Sequence, residues 1–172
     1  AYPKFVGGLS FSGDWKGIDL SFLFQAGLGR DVALTGVYSG GIMDNTQMTK
    51  PFYHGGNSPK YLVENSWRED NTNAEFPRLS IVQASSNNAY SSTFWYRSGD
   101  YLRLKNLQIG YTFPQKWMSR IGIDRLRIYF EGQNLWTVSE LTKFNIDPEQ
   151  PGVSNGYYPQ QRIFSFGVNL AF

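Results

Sequence analysis

Few residues of this chain have the types and spacing that enzyme chemistry requires. His54 is the only histidine among the 172 residues, and there is no cysteine. A histidine without a partner that orients it is a weak indication of a catalytic base or a metal ligand. The segment GLGR at 27–30 lacks the spacing of a phosphate-binding loop, and no nucleophile elbow or metalloprotease motif occurs. The sequence therefore predicts no enzymatic activity, no cofactor and no metal site.

Aromatic side chains form a second group with possible binding chemistry. Residues 29–93 are irregular and rich in Gly, Asn, Ser and Pro. Within or just after this region lie four candidates for contact with a substrate or a partner: Tyr53, Trp67, Trp95 and Tyr96. Rings beside Asn and Asp side chains are typical of sugar-binding surfaces. A loop of this size also needs a small core of its own, so packing is the alternative role.

A third group is charged and lies in the segment 124–137. Arg125, Arg127 and Glu131 share the odd-numbered positions of this segment with Tyr129, and the even-numbered positions between them carry Leu126, Ile128 and Phe130. In an extended strand this pattern places the charges on one face. The charged face is predicted either to contact a substrate or another part of the protein, or to form a structural ion network.

Five segments alternate apolar and polar residues as β-strands do. They cover residues 4–12, 16–26, 100–113, 124–137 and 162–172. The sequence SGDW separates the first two, which are predicted to form a hairpin. Each segment has 9–14 residues, whereas globular strands typically have about 5–6 and a tilted membrane-spanning strand needs about 9–11. The lengths favour strands that cross a membrane.

The connections between these segments alternate between short and long. SGDW and the link 114–123 are short, whereas the regions 29–93 and 139–161 are long. Outer-membrane barrels have short periplasmic turns and long extracellular loops, and a structureless stretch of this length is unusual inside a compact soluble domain. We therefore predict an all-β transmembrane barrel wall. The two long loops are then extracellular, and the charged face of 124–137 points into the lumen.

The same topology places particular side chains at the membrane surfaces. Trp15 and Trp117 fall near the periplasmic rim and Trp136 near the outer rim, where aromatic girdles occur. Arg103 and Lys105 are predicted to share the lipid-facing side of their strand. They lie at its outer end, where long cationic side chains reach polar headgroups.

Five strands do not close a barrel, and bacterial single-chain barrels have an even number of strands. An open sheet would leave two unpaired edges in lipid, which the bilayer does not tolerate. We therefore expect the chain to be the C-terminal part of a larger protein, or one part of a split one.

Composition excludes several other classes of protein. Lys and Arg number 16 against 14 Asp and Glu, which leaves no cationic footprint for nucleic acid. No apolar run of about 18 residues is present, so a transmembrane helix is not expected. The start, AYPKFVGG, has no signal-peptide pattern. The mean hydropathy of −0.40 does not separate a soluble protein from a barrel, because alternating strands average to a low value.

Three motifs resemble those of the SusC/RagA family of TonB-dependent outer-membrane transporters. They are FWYRSGDYLRLKNLQIGYTFPQKW at 94–117, LRIYFEGQNLWTVS at 126–139 and YYPQQRIFSFGVNLAF at 157–172. They occur in the family's order and at family-like spacing. The resemblance extends over essentially the whole chain and is weakest at about residues 31–70.

The resemblance implies a barrel of about 22 strands, of which this chain supplies the last five, with a plug domain that is absent from it. It implies import of a nutrient, a glycan or an oligopeptide, across the outer membrane of a Gram-negative bacterium. It also implies a SusD-like surface lipoprotein as a partner, which loop aromatics would meet, and energy from TonB–ExbB–ExbD. Phe172, an aromatic C-terminal residue, is implied to be the signal for the barrel-assembly machinery.

Two alternatives stay open at the level of the sequence. A soluble β-sandwich that binds carbohydrate would also show alternating strands and aromatic residues, but it would have shorter strands and a polar C-terminus. A porin-like barrel without TonB coupling would lack a plug domain and a TonB box upstream.

Deleting Phe172 from the full-length gene is expected to lower the amount of protein in the outer membrane, because assembly would lose its aromatic terminal signal. The measurement is the protein level in isolated outer membranes. Unchanged levels would contradict the assembly role and leave Phe172 as one more apolar side chain.

Overall fold

The structure, a computed structural model, describes residues 2–34, 59–79, 92–150 and 160–172. These residues divide into two compact units, each of which is described by itself. The first, here the sheet unit, comprises residues 3–29, 100–139 and 160–172. The second, here the loop unit, comprises Tyr2 and residues 30–34, 59–79, 92–99 and 140–150.

The described residues form seven strands and two short α-helices. The strands are β1 (Phe5–Trp15), β2 (Ile18–Leu28), β3 (Asp31–Ala33), β4 (Tyr96–Ser98), β5 (Tyr101–Thr112), β6 (Arg125–Ser139) and β7 (Ile163–Ala171). The helices are α1 (Lys60–Glu64) and α2 (Gln115–Met118). Five strands make one antiparallel sheet in the order β1-β2-β5-β6-β7, and β3 pairs with β4. The antiparallel, mostly β architecture expected from alternation is confirmed.

The hairpin between β1 and β2 turns later than the sequence suggests. The residues SGDW lie within the pairing, where Asp14 opposes Asp19 and Trp15 opposes Ile18. The turn consists of Lys16 and Gly17, both with positive φ, 49° and 86°. Two central residues with positive φ define the type I′ turn, whose twist matches that of paired strands. The expectation that SGDW is the turn was wrong because it gave weight to the glycine at 13 rather than to the one at 17.

The pairing registers place uncharged, mostly large apolar side chains on one side of the whole sheet. This side is here called the apolar face. In β7 it carries Phe164, Phe166, Val168 and Leu170, which oppose glycine or apolar residues of β6. Rings meet across it, as Phe11 and Phe22 do with centroids 5.3 Å apart, and Phe130 and Phe166 at 5.2 Å. No Asp, Glu, Lys or Arg in register on the described strands points to this side.

A β-bulge keeps this face free of charge. Between Leu104 and Asn106 the register shifts, so that Lys105 has no Cα partner on β2 or β6. One extra residue reverses the alternation beyond it. Arg103 therefore lies opposite Gln25 and Thr137 on the polar face, and the expectation that it shares the side of Leu107 was wrong. Lys105 occupies the bulge itself.

The link between β5 and β6 is a compact turn. It consists of α2 and a 3₁₀ turn, Ser119–Ile121, and it ends at Gly122 with φ of 75°. Met118 is 9% exposed, and its carbonyl accepts a hydrogen bond from the Ile123 amide at 3.1 Å. Asp124 N donates to Ala171 O at 2.9 Å, which fixes the end of the turn to the end of β7.

The loop unit has its own hydrophobic core, although much of it falls in a region expected to be irregular. Its buried members are Val32, Leu34, Leu62, Phe76, Trp95, Leu141, Phe144 and Ile146. One short helix of this unit, α1, begins at Lys60 and ends at Glu64. Past it, Ser66 pairs with Phe76 in an isolated bridge. The packing of distant segments around these rings was not visible in the local sequence pattern.

Among the described residues, no helix has the length and apolar character needed to cross a bilayer.

Candidate functional site

An ion pair between two non-adjacent strands organises the polar face of the sheet. Arg127 on β6 donates to both carboxylate oxygens of Asp19 on β2, Nε to Oδ2 at 2.8 Å and Nη2 to Oδ1 at 2.6 Å. This two-point geometry is the strongest form of the Arg–carboxylate contact. The side chains are 14% and 31% exposed, so the pair is partly shielded from water. It joins residues 108 positions apart in the sequence.

Glycine on the intervening strand makes this pair possible. Gly110 of β5 lies opposite both Asp19 and Tyr129. A Cβ at Gly110 would come within 2.6 Å of Arg127 Nη2. Only a residue without a side chain leaves room for the ion pair to pass over β5.

Tyr129 extends the contact to the next strand. The Arg127 guanidinium lies 4.7 Å from the centroid of the Tyr129 ring, within the range of a cation–π interaction. That ring in turn lies over Gly167 of β7, where a Cβ would overlap it. Asp19, Arg127 and Tyr129, with Gly110 and Gly167 beneath them, thus form a continuous strip across four strands, here called the polar strip. Sequence reasoning found Arg127 but not its partners.

The other two charged candidates of β6, Arg125 and Glu131, lie on the same face. Among the described residues, neither makes a hydrogen bond or an ion pair with the polar strip. Glu131 accepts a hydrogen bond from Gln133 Nε2 at 3.2 Å. Arg125 is exposed at the start of β6. The predicted common face is therefore observed, and of the three residues Arg127 is the one placed in an ion pair with another strand.

A second polar centre lies near the other end of the sheet. Arg103 is 3% exposed, and it donates to Thr137 Oγ1 at 2.9 Å and Gln160 Oε1 at 2.5 Å. Gln25 Nε2 donates to Tyr101 Oη at 3.3 Å. A buried guanidinium needs such acceptors because an unpaired buried charge is costly. The bulge at Lys105 is what turns Arg103 toward them.

In the loop unit, the carboxylate of Glu75 collects three donors. Tyr61 Oη donates to Oε2 at 2.7 Å, and Lys143 Nζ and Arg97 Nη2 donate to Oε1 at 3.1 and 3.3 Å. Arg97 also lies 3.7 Å from Glu140. These contacts join segments far apart in sequence at the border of the loop-unit core.

The donors set the protonation states of this cluster. Burial by itself would raise the pKa of Glu75, but hydrogen bonds from Tyr61 and Lys143 and the charges of Lys143 and Arg97 outweigh it and hold the pKa below its usual value. The hydrogen bond to Glu75, followed by burial, raises the pKa of Tyr61 to about 12. At neutral pH Tyr61 is therefore a firm donor to an ionised Glu75.

The aromatic candidates have different surroundings. Trp95 is 4% exposed and packs on Phe76 with ring centroids 6.1 Å apart, so it is a core residue rather than a contact surface. Tyr96 is 52% exposed. Tyr53, like His54, lies outside the described residues.

Trp67 lines a cavity of about 470 Å³ in the loop unit. Its other lining residues are Val63, Ser66, Arg68, Glu69, Arg78 and Leu79. Two guanidinium groups, one carboxylate and an indole ring offer hydrogen bonds and a stacking surface to a small polar ligand. Of these lining residues, the sequence indicated Trp67 alone, because Arg68 and Arg78 follow no pattern along the chain and come together only in the folded structure.

Phe172 follows β7 at a position that alternation assigns to the apolar face, and its side chain is 84% exposed. Among the described residues, no group of three or more His, Asp or Glu side chains is placed to hold a metal ion.

Several known proteins are similar to this chain in sequence or in structure. No protein-family profile matches it. It is 28% identical over 183 residues to TonB-dependent receptor P3 of Formosa agariphila, covering 99% of this chain and 16% of that receptor. It is 30% identical over 105 residues to TonB-dependent receptor SusC of Bacteroides thetaiotaomicron, covering 59% of this chain and 10% of SusC. A structure of the RagAB peptide importer in its open-open state matches 99% of this chain and 17% of that chain, with 26% identity and a TM-score of 0.61.

The chain is a homologue of TonB-dependent receptors of the SusC/RagA type. The resemblance seen in its three C-terminal motifs is thereby confirmed, and the match lies in the C-terminal part of these receptors. As a TonB-dependent receptor homologue, the chain spans only 16–17% of the length of the Formosa agariphila receptors P3 and P26.

The polar strip predicts an energetic coupling between Asp19 and Arg127 in the full-length protein. Asp19→Asn and Arg127→Gln are each expected to lower the free energy of unfolding by about 1–3 kcal/mol, because each leaves the other partner without its counter-charge. The double variant should cost clearly less than the sum. Urea unfolding of the four proteins measures the cycle. Glu64→Gln, at a side chain that is 58% exposed, is the control and should stay within about 0.5 kcal/mol of the wild type. Strictly additive losses would contradict the coupling.

The Glu75 cluster predicts a pH-dependent local stability. A carboxyl whose folded pKa is lowered adds stability above its unfolded pKa of about 4.3, and this stability is lost as the pH falls through the lower folded pKa. Tyr61, whose pKa is raised, adds stability that is lost as the pH rises from about 10 to about 12. We therefore expect amide hydrogen-exchange protection of residues 59–79, corrected for intrinsic exchange, to be highest between these limits.

Glu75→Gln should reduce that protection at pH 7 and remove its acid dependence, because the amide carries no charge for Lys143 and Arg97. Glu64→Gln is the matched control, since the Glu64 carboxylate lies 3.5 Å from Lys60 and its side chain is 58% exposed. Identical acid profiles for Glu75→Gln and the wild type would refute the role assigned to the cluster.

Proposed function

We propose that this chain forms part of the wall of a TonB-dependent importer in the outer membrane of a Gram-negative bacterium. The observation that carries the proposal is the apolar face. Leu9, Phe166 and Val168 on this face are 66%, 83% and 64% exposed. A continuous apolar surface of this kind would drive aggregation in water, whereas hydrocarbon is the solvent that matches it.

Strand length and edge structure support a place in a bilayer. The long strands have 11, 11, 12, 15 and 9 residues, and a tilted strand needs about 9–11 to cross the hydrocarbon. In the described sheet, β1 and β7 each have a single neighbour. Strands outside this chain would pair with these edges and close a barrel of about 22 strands.

The polar face then faces the lumen of that barrel. The polar strip stiffens the wall, and Arg125 and Glu131 are the residues of this face proposed to meet the plug domain or passing substrate. No covalent chemistry is required of any residue, so the protein is proposed to act without enzymatic activity.

The loop unit is proposed to be extracellular and to contribute to nutrient binding. The Trp67 cavity and the exposed ring of Tyr96 are the candidates for contact with a substrate or with a SusD-like lipoprotein. The cargo is proposed to be a glycan or an oligopeptide; the name of the RagAB peptide importer supports the second class. Energy would come from TonB–ExbB–ExbD through a plug domain outside this chain, and insertion from the barrel-assembly machinery acting on Phe172.

A soluble β-sandwich would require a second sheet to cover the apolar face. The other sheet among the described residues consists of β3 and β4, with three residues each. A sheet of two such short strands is too small to cover the apolar face, which argues against the sandwich. The porin-like alternative is distinguished from TonB-dependent import by the uptake experiment below.

Two adjacent residues of β5 test the orientation of the wall in the full-length protein. Ile109→Arg places a charge on the apolar face and is expected to reduce the protein level in the outer membrane, because arginine on a lipid-facing strand costs about 2–4 kcal/mol near mid-membrane. Gln108→Arg places the same charge on the polar face and should leave the level near that of the wild type. Equal effects of the two substitutions would contradict the assignment.

The transport function is tested by measuring uptake into cells. Uptake of fluorescently labelled oligosaccharides and oligopeptides should depend on the gene and be lost when tonB is deleted. Uptake that persists without TonB would indicate a porin-like barrel instead, and uptake of neither probe class would contradict both proposed cargoes.

A further inference from the structure

Two turns at one end of the sheet unit present the same combination of side chains. Trp15 and Lys16 end β1 and enter the β1–β2 turn, and Lys116, Trp117, Arg120 and Ile121 lie in the β5–β6 turn. The turns are neighbours, because Thr112 N at the end of β5 donates to Gly17 O at 2.7 Å. These six residues are here called the turn rim.

The apolar members of the turn rim project away from the packed protein. Trp15, Trp117 and Ile121 are 68%, 57% and 65% exposed. Met118, between the last two, is 9% exposed and holds the turn against the sheet unit. The β5–β6 turn is thus anchored by Met118, and its Trp117 and Ile121 side chains are exposed.

Each of the three exposed apolar side chains has a cation next to it in the sequence. Lys16 Nζ lies 4.6 Å from the centroid of the Trp15 ring. Lys116 precedes Trp117, and Arg120 precedes Ile121, so the pairing repeats with a spacing of four residues. Tryptophan flanked by Lys or Arg is the side-chain combination that suits the interface between hydrocarbon and headgroups.

The balance of charge at this end of the sheet is positive. Among the described residues, Lys16, Lys116 and Arg120 have no carboxylate within ion-pair distance and no further polar contact. Asp19 is engaged by Arg127. Three exposed cations therefore remain next to an apolar edge, against the acidic residues Asp14 and Asp124.

We infer that the turn rim binds the phosphate groups of anionic phospholipids in the leaflet that meets these turns. The inference rests on the proposed membrane location and adds a ligand class to it. Trp15, Trp117 and Ile121 sit at the level of the glycerol and upper acyl chain, and Lys16, Lys116 and Arg120 contact the phosphates and the negative headgroup. The charge, rather than the rings, supplies the preference for anionic over zwitterionic lipid.

The test uses the purified, delipidated full-length protein in detergent. It is titrated with phosphatidylglycerol or with phosphatidylcholine of identical acyl chains, and bound lipid is counted by native mass spectrometry. The triple variant Lys16→Gln, Lys116→Gln and Arg120→Gln is compared with a charge-matched triple in the loop unit, Lys60→Gln, Arg68→Gln and Arg78→Gln.

The wild type and the loop-unit triple should bind phosphatidylglycerol in preference to phosphatidylcholine, and the turn-rim triple should lose the preference. The affinity is expected to fall by roughly fivefold for each cation removed, the equivalent of about 1 kcal/mol per Lys or Arg near an anionic surface. Equal binding of the two lipids by the wild type, or a preference that survives in the turn-rim triple, would overturn the inference while leaving the importer in place. A full-length protein that is soluble without detergent would overturn the proposed membrane function as well.

Discussion

A sheet that is one layer thick must match each of its two faces to a different environment. In this protein that requirement governs most of the sheet unit, because alternation along five strands, reversed once at the bulge, collects apolar side chains on one side and hydrogen-bonding side chains on the other. A one-residue slip would exchange the two faces. The bulge at Lys105 shows how closely the register is controlled, since without it Arg103 would fall among leucines instead of beside Thr137 and Gln160.

The polar face is held by side chains that reach over glycine. The Asp19–Arg127 pair crosses Gly110, and the ring of Tyr129 covers Gly167. The Asp19–Arg127 contact ties two non-adjacent strands in a way that backbone ladders do not, because a ladder joins only neighbours. The loop unit uses a different solution, a core of aromatic and aliphatic residues with the ionised Glu75 at its border. Each unit is thus stabilised by its own kind of contact.

Much of the architecture was predictable from the sequence, and the failures have clear physical causes. Period-two alternation identified the long strands to within a few residues, because each strand has one apolar side. The turn at Lys16–Gly17 was misplaced, since a glycine needed for positive φ does not differ in sequence from one that fits elsewhere. In the loop unit, the sequence left Trp95 with two possible roles, contact or packing, and its packing against Phe76 decided that it belongs to the core.

The sequence by itself determined the β class, the two-sided character of the strands and the resemblance to SusC/RagA-type receptors. All three depend only on the order of the residues and their local periodicity. The tertiary structure alone decided which charged residues are paired, how Glu75 gathers Tyr61, Arg97 and Lys143, and which aromatics line a cavity rather than a core. The physical reason is that these contacts join residues whose separation along the chain carries no periodic signal. Asp19 and Arg127 lie 108 positions apart and meet only because β2, β5 and β6 pair in register.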